Sequence, residues 1–176
     1  MIVLHRALIG AALAGLSATA CAQETNRKSQ LGVVTQWIAG TKVEITYRRP
    51  VARGRSLFGA LVPYGRVWTP SADTAARISV SAPIQINGAS LPAGTYSIWA
   101  TPDSLDWTIA FNSNATLFHL NVPPSGDVLR VHAKPGTGEH VETLMFAFPM
   151  TDADSARLEL RWGTTVVPFA IKATNK

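Results

Sequence analysis

From residue 31 onward, apolar and polar side chains alternate in short runs that are broken by Gly, Pro, Asn and Asp. In 42–47, Val43, Ile45 and Tyr47 share one face while Lys42, Glu44 and Thr46 share the other. That period of two marks a half-buried strand. Val33, Val34 and Trp37 form the preceding run, with Ala39-Gly40 as the turn between the two. Asn87-Gly88, after the 83–86 run, is a strong signal for a tight hairpin. Further runs at 95–101, 107–112, 127–134, 141–148, 156–162 and 166–171 bring the expectation to about eight to ten strands at roughly ten-residue spacing.

No stretch holds the 3.6-residue helical period over three turns. Residues 56–62 (SLFGALV) read as one helical turn or a loop, limited by Gly59 and Pro63. No internal repeat of fixed period is present. The pattern predicts an all-β fold with little helix: an antiparallel β-sandwich, jelly-roll-like or immunoglobulin-like.

Ahead of the alternating region the pattern changes. Residues 1–6 carry Arg6, residues 7–16 (ALIGAALAGL) are unbroken apolar, and small residues follow from Ser17 to Ala22. Charge, apolar core and small-residue site together are the grammar of an export signal. The apolar run is well short of the roughly 20 residues that span a bilayer. Residues 1–22 are therefore expected to be a signal peptide, 23–30 a flexible polar tether, and 31–173 one β-sandwich domain.

Two cleavage patterns overlap. Ala18-Thr19-Ala20-Cys21 resembles a bacterial lipobox, which would lipidate Cys21 as the mature N-terminus, although Ala18 stands where Leu is commonest. Ala20-Cys21-Ala22 fits A-x-A cleavage and would release Gln23. Cys21 is the only cysteine, so the domain is expected to fold without a disulfide, and lipidation would explain the lone thiol. The expected location is outside the cytoplasm: periplasmic, attached to a membrane through lipidated Cys21, or secreted.

Composition narrows the class. A chain of 176 residues suits one domain. Only 15% of residues are charged, against about 25% in ordinary globular domains. Five tryptophans with Val and Ile between them argue against disorder. The net charge of +5 falls by one when Arg6 leaves with the signal. Nucleic-acid binders gather their charge into a basic stripe, and only residues 48–55 approach that, so nucleic acid is not an expected partner.

Residues 47–55 (YRRPVARGR) place Arg48, Arg49, Arg53 and Arg55 in one short segment. The planar guanidinium fork suits carboxylate and phosphate groups. With Tyr64 and Trp68, these arginines are the candidate ligand-binding residues, for a small anion or a lipid headgroup. The structural alternative pairs one arginine with an internal acid such as Asp73 and leaves the others in water. Tyr64 and Trp68 could likewise stack on sugar rings, although a Trp in such a block more often plugs a core. Residues 91–97 (LPAGTYS) read as a hairpin entry that needs no chemistry.

The other ionisable groups give little. His119, His132 and His140 lie on separate elements without metal-ligand spacing. His132 and His140, with Glu142, are the residues from which a metal or His/acid site would have to be assembled in space. Nucleophile motifs of the G-x-S-x-G and S-x-x-K kinds are missing, and Asp152-Ala153-Asp154 lacks the rest of a calcium loop. No catalytic residue, metal ligand or cofactor is assigned. The expected role is a non-catalytic envelope module that binds a small molecule, a glycan or an envelope protein, or one that is purely structural. The competing reading is a hydrolase assembled from distant residues.

Several blocks carry a resemblance. Arg49-Pro50 with Gly54-Arg55 is followed by Phe58-Gly59, by 61–68 (LVPYGRVW), by 91–97 and by the 107–112 strand. Over about residues 30–172 this resembles the domain of unknown function 2911 family of exported bacterial proteins. The resemblance implies an exported β-sandwich-like domain and no particular reaction. The family commonly continues R-T-G-A-N, where this chain has Thr69-Pro70-Ser71-Ala72-Asp73.

Overall fold

A computed structural model describes residues 27–174; the expected signal peptide, its cleavage sites and Cys21 lie outside the described residues. The strands are β1 (Gln30–Ile38), β2 (Thr41–Arg49), β3 (Ala76–Val80), β4 (Ile84–Ile86), β5 (Ala89–Leu91), β6 (Gly94–Thr101), β7 (Trp107–Asn112), β8 (Asp127–Ala133), β9 (Gly136–Thr151) and β10 (Ser155–Ala173). One sheet has six strands in the order β1-β2-β3-β6-β7-β8, and the other has four in the order β5-β4-β10-β9. Every strand pairing is antiparallel. The result is an all-β sandwich, and none of the described residues is helical.

Alternation builds the core. Val43, Ile45 and Tyr47 of β2, Ile78 of β3, Ile98 of β6 and Ile109 of β7 face Leu144, Phe146, Leu158, Leu160 and Ile171 of the second sheet. The Tyr47 ring meets Phe146 edge-on at 4.9 Å, and the Phe146 N–H donates to the Tyr47 hydroxyl at 3.0 Å. One side chain thereby brings both apolar area and a hydrogen bond across the sandwich. Trp99 and Trp107 are fully buried, whereas Trp37 on β1 is 61% exposed.

The strand pattern departs from expectation in three places. β3 is an unexpected short strand whose Ala76, Ile78 and Val80 point inward. The runs at 156–162 and 166–171 join into one 19-residue strand, β10. Its register against β9 shifts at Arg157/Glu159, Arg161/Gly163 and Gly163/Thr165, and such bulges bend a strand without ending it. Gln30, expected at the end of the tether, opens β1, and nearby Arg27 bonds Asp73 at 3.0 Å.

The connection from β2 to β3 fastens the two sheets to each other. β9 is an edge strand of its sheet, and residues 50–52 lie along it: the Ala52 N–H donates to Glu142 O at 2.8 Å and the Leu144 N–H to Pro50 O at 2.9 Å. Covering an edge in this way satisfies backbone groups that would otherwise template aggregation. The chain then reaches Trp68, which pairs with Ala100 through mutual backbone bonds of 2.8 and 2.6 Å. Trp68 thus continues the track of β3 beside β6.

Candidate functional site

The four arginines of 48–55 have separate duties. Arg48 on β2 is buried, and its N–H donates to Ser71 Oγ at 2.8 Å. The Arg49 guanidinium crosses to the opposite sheet, with Nε donating to Leu144 O at 3.4 Å. Arg53 has φ of 53°, and its N–H donates to Glu142 Oε1 at 2.6 Å. Arg55 folds onto its own loop, Nε donating to Ala52 O at 2.8 Å and Nη2 to Val51 O at 2.7 Å. Asp73, the internal acid the sequence offered to one of them, is bonded by Arg27.

Arg55 and Tyr64 open onto a cleft of about 290 Å³ between this loop and the β9–β10 ribbon, where Phe58, His140, Trp162 and Thr164 also line it. Its floor is aromatic. The Phe58 ring meets Trp107 edge-on at 4.7 Å, Trp68 at 5.9 Å and Trp162 at 6.1 Å. Trp68 does not line the cleft: it stacks on Trp162 at 6.1 Å and 10° and so supports the floor from behind. The Trp162 Nε1–H donates to Glu142 O at 3.3 Å, the backbone acceptor that a buried indole requires. Tyr64 is 48% exposed at the rim.

Gly163 sets how closely the loop approaches. Its φ is +59°, and a Cβ there would lie 2.9 Å from Leu57 Cδ1. A residue without Cβ both takes the left-handed conformation and leaves room for Leu57. Leu57 in turn anchors a tight knot, with the Val62 N–H donating to Leu57 O at 2.9 Å and the Gly59 N–H to Val62 O at 2.9 Å. Phe58 and Tyr64 are held at the two ends of that knot.

The polar wall is centred on β9. His140 and Glu142, two apart on a strand, share a face, and His140 Nε2 lies 3.1 Å from Glu142 Oε2. The hydrogen bond to His140, and after it the Arg53 backbone N–H, hold the Glu142 carboxyl below a glutamate's ordinary 4.5. A carboxylate with a depressed folded value adds stability above its unfolded value and loses it as pH falls through the folded one. The Arg53 amide resonance is therefore expected to titrate with a midpoint below 4.5, and Glu142→Gln to abolish that titration. A midpoint at or above the ordinary value would remove this account of the loop.

The other histidines lie elsewhere. His132 Nδ1 is 2.6 Å from Asp106 Oδ2, and His119 packs edge-on against Phe118 at 4.6 Å. His132 is not brought together with His140 and Glu142, and no group of three or more metal-ligating side chains occurs among the described residues. A larger groove of about 730 Å³ runs beside Met150, Asp152, Pro168 and Lys172. Two of its polar side chains are engaged in the fold: Asn87 accepts from the Ala170 N–H and donates to His132 O, and Asp152 accepts from the Ala153 N–H. The cleft at Tyr64 is the smaller space but the one where aromatic and polar groups converge, as ligand sites require.

Sequence reasoning named Arg55 and Tyr64 and missed Phe58, Trp162 and Thr164. The His140-x-Glu142 spacing was a usable signal, since it puts both side chains on one strand face. No curated protein and no solved structure matches the chain. The family comparison does: the model described as protein of unknown function (DUF2911) matches residues 29–171, and the chain belongs to that family.

Proposed function

We propose that this protein is an exported cell-envelope module that binds a saccharide in the Tyr64 cleft, as a binding domain and not as an enzyme. The observation that carries the reading is the convergence of Phe58, Tyr64 and Trp162 with Arg55, His140 and Thr164 around one opening. The half-exposed Tyr64 ring takes the apolar face of a sugar ring over the Phe58–Trp162 floor, while the imidazole, hydroxyl and guanidinium groups meet its hydroxyls. The binding role is also supported by the duty of Glu142, whose two oxygens are occupied by His140 and by the Arg53 N–H. Export rests on the leader pattern of residues 1–22.

Titrating the labelled protein with a panel of cell-envelope oligosaccharides is expected to give saturable amide shifts at residues 55, 64, 140 and 164. Tyr64→Ala should weaken that binding about tenfold, the size of one lost aromatic contact, and leave the melting temperature unchanged because Tyr64 is half exposed. A panel without saturable shifts, or binding indifferent to Tyr64→Ala, overturns the proposal. Mass spectrometry of the mature N-terminus tests export: diacylated Cys21 or an unmodified Gln23 supports it, and an intact residue 1 sinks it.

A further inference from the structure

A second polar groove, of about 290 Å³, lies on the opposite face of the β9–β10 ribbon and is lined by Lys134, Gly136, Gly138, Arg157, Glu159 and Arg161. On β10, Ala156, Leu158, Leu160 and Trp162 point into the core, so the alternate residues Arg157, Glu159 and Arg161 point away from it. The bulges that bend β10 around Gly163 bring Val166 and Pro168 to the same groove. Three cations therefore face one carboxylate. That carboxylate is committed, since Glu159 Oε1 lies 2.8 Å from Arg157 Nη2, and it holds the Arg157 fork in place.

Arg161 is the telling residue. Its Nε is buried and has no hydrogen-bond partner. Its Nη2 makes a long 3.4 Å bond to Glu139 O. The guanidinium lies against the β9 backbone where Gly138 leaves space: a Cβ there would sit 3.3 Å from Arg161 Nη2 and 2.8 Å from Val166 Cγ2. A buried donor without an acceptor is costly, and a bound oxyanion would supply the acceptor.

We infer that this groove is a phosphate-binding site, in which Arg161, Arg157 and Lys134 hold the phosphate group of a soluble phosphoester or of a lipid headgroup. Arginine's planar fork pairs two oxygens at once, and Lys134 adds a point charge at the mouth. The site is independent of the saccharide cleft, because its side chains leave the opposite face of β10.

Inorganic phosphate added to the labelled protein is expected to shift the Arg161 Nε–H and the Gly138 amide saturably. Lys134→Gln and Arg161→Gln should each weaken binding about tenfold, as for loss of one charge-assisted hydrogen bond. Flotation with phosphatidylglycerol against phosphatidylcholine vesicles separates the sources. Phosphate binding without flotation identifies a soluble phosphoester, and anionic-vesicle flotation lost in Arg161→Gln identifies a headgroup. Lys134 is exposed, so its variant keeps the test decisive if Arg161→Gln fails to fold. The inference falls if neither phosphate nor phosphatidylglycerol binds, or if binding survives both substitutions.

Discussion

Replacing Phe58 with alanine is expected to destabilise the protein by about 3 kcal/mol, the lower end for a Phe→Ala cavity, because Phe58 is only partly buried. Its ring touches Trp68, Trp107 and Trp162 edge-on, so it meets three of the five tryptophans at once. Removing it leaves the Trp68–Trp162 stack without its wedge, so tryptophan emission should shift along with the loss of stability. For a domain of this size the melting temperature should fall by roughly 10 °C. Phe58→Leu, which keeps most of the volume, should lose less than half as much. The same change removes the cleft floor, so saccharide affinity should fall in Phe58→Ala even at temperatures where the protein remains folded. A Phe58→Ala variant within 1 kcal/mol of the parent would mean that the aromatic cluster is a surface ornament and not a support.

The fold was largely legible because its signal is local. Period-two alternation depends only on which face a residue points to, so β2, β6 and β7 are readable residue by residue, and β8 less cleanly because apolar Val128 sits on its outer face. Asn87-Gly88 was legible for the same reason: Asn87 has φ of 49° and Gly88 of 84°, the pair of positive values that a type I′ turn requires. What local pattern cannot convey is register and bending. β10 reads as two strands because Gly163-Thr164-Thr165 looks like a break, while in the structure those residues are bulges within one continuous strand. The candidate site was legible by half. Arg55 and Tyr64 are near each other in sequence, but Trp162, Thr164 and His140 arrive from the other sheet, and nothing local marks their arrival. The arginine cluster misled for the opposite reason: four like residues in a short segment suggest one patch, yet the strand and turn geometry sends Arg48, Arg49, Arg53 and Arg55 in different directions.

The segment 69–73, between Trp68 and β3, gives the second large effect. Thr69 is fully buried; its Oγ1 donates to Ile98 O at 2.8 Å and accepts the Ala76 N–H at 3.0 Å. It sits in the gap of the ladder between Trp68, which pairs with Ala100, and Ala76, which pairs with Ile98. Its neighbour Ser71 receives the Arg48 N–H, and Asp73, at φ of 62°, receives Arg27. These residues are structural clips that join β2, β3 and β6. Thr69→Val keeps the shape and removes both hydrogen bonds, leaving a buried N–H unpaired and a buried carbonyl short of one donor. At 1–3 kcal/mol for each such group, the expected loss is about 3 kcal/mol. Thr69→Ser keeps the hydroxyl and gives up one methyl group, so it should cost only about 1 kcal/mol. Denaturant melts of the two variants therefore separate polar from apolar contributions. A valine variant as stable as the serine one would show that the hydroxyl is dispensable and that the clip between β3 and β6 does not depend on it.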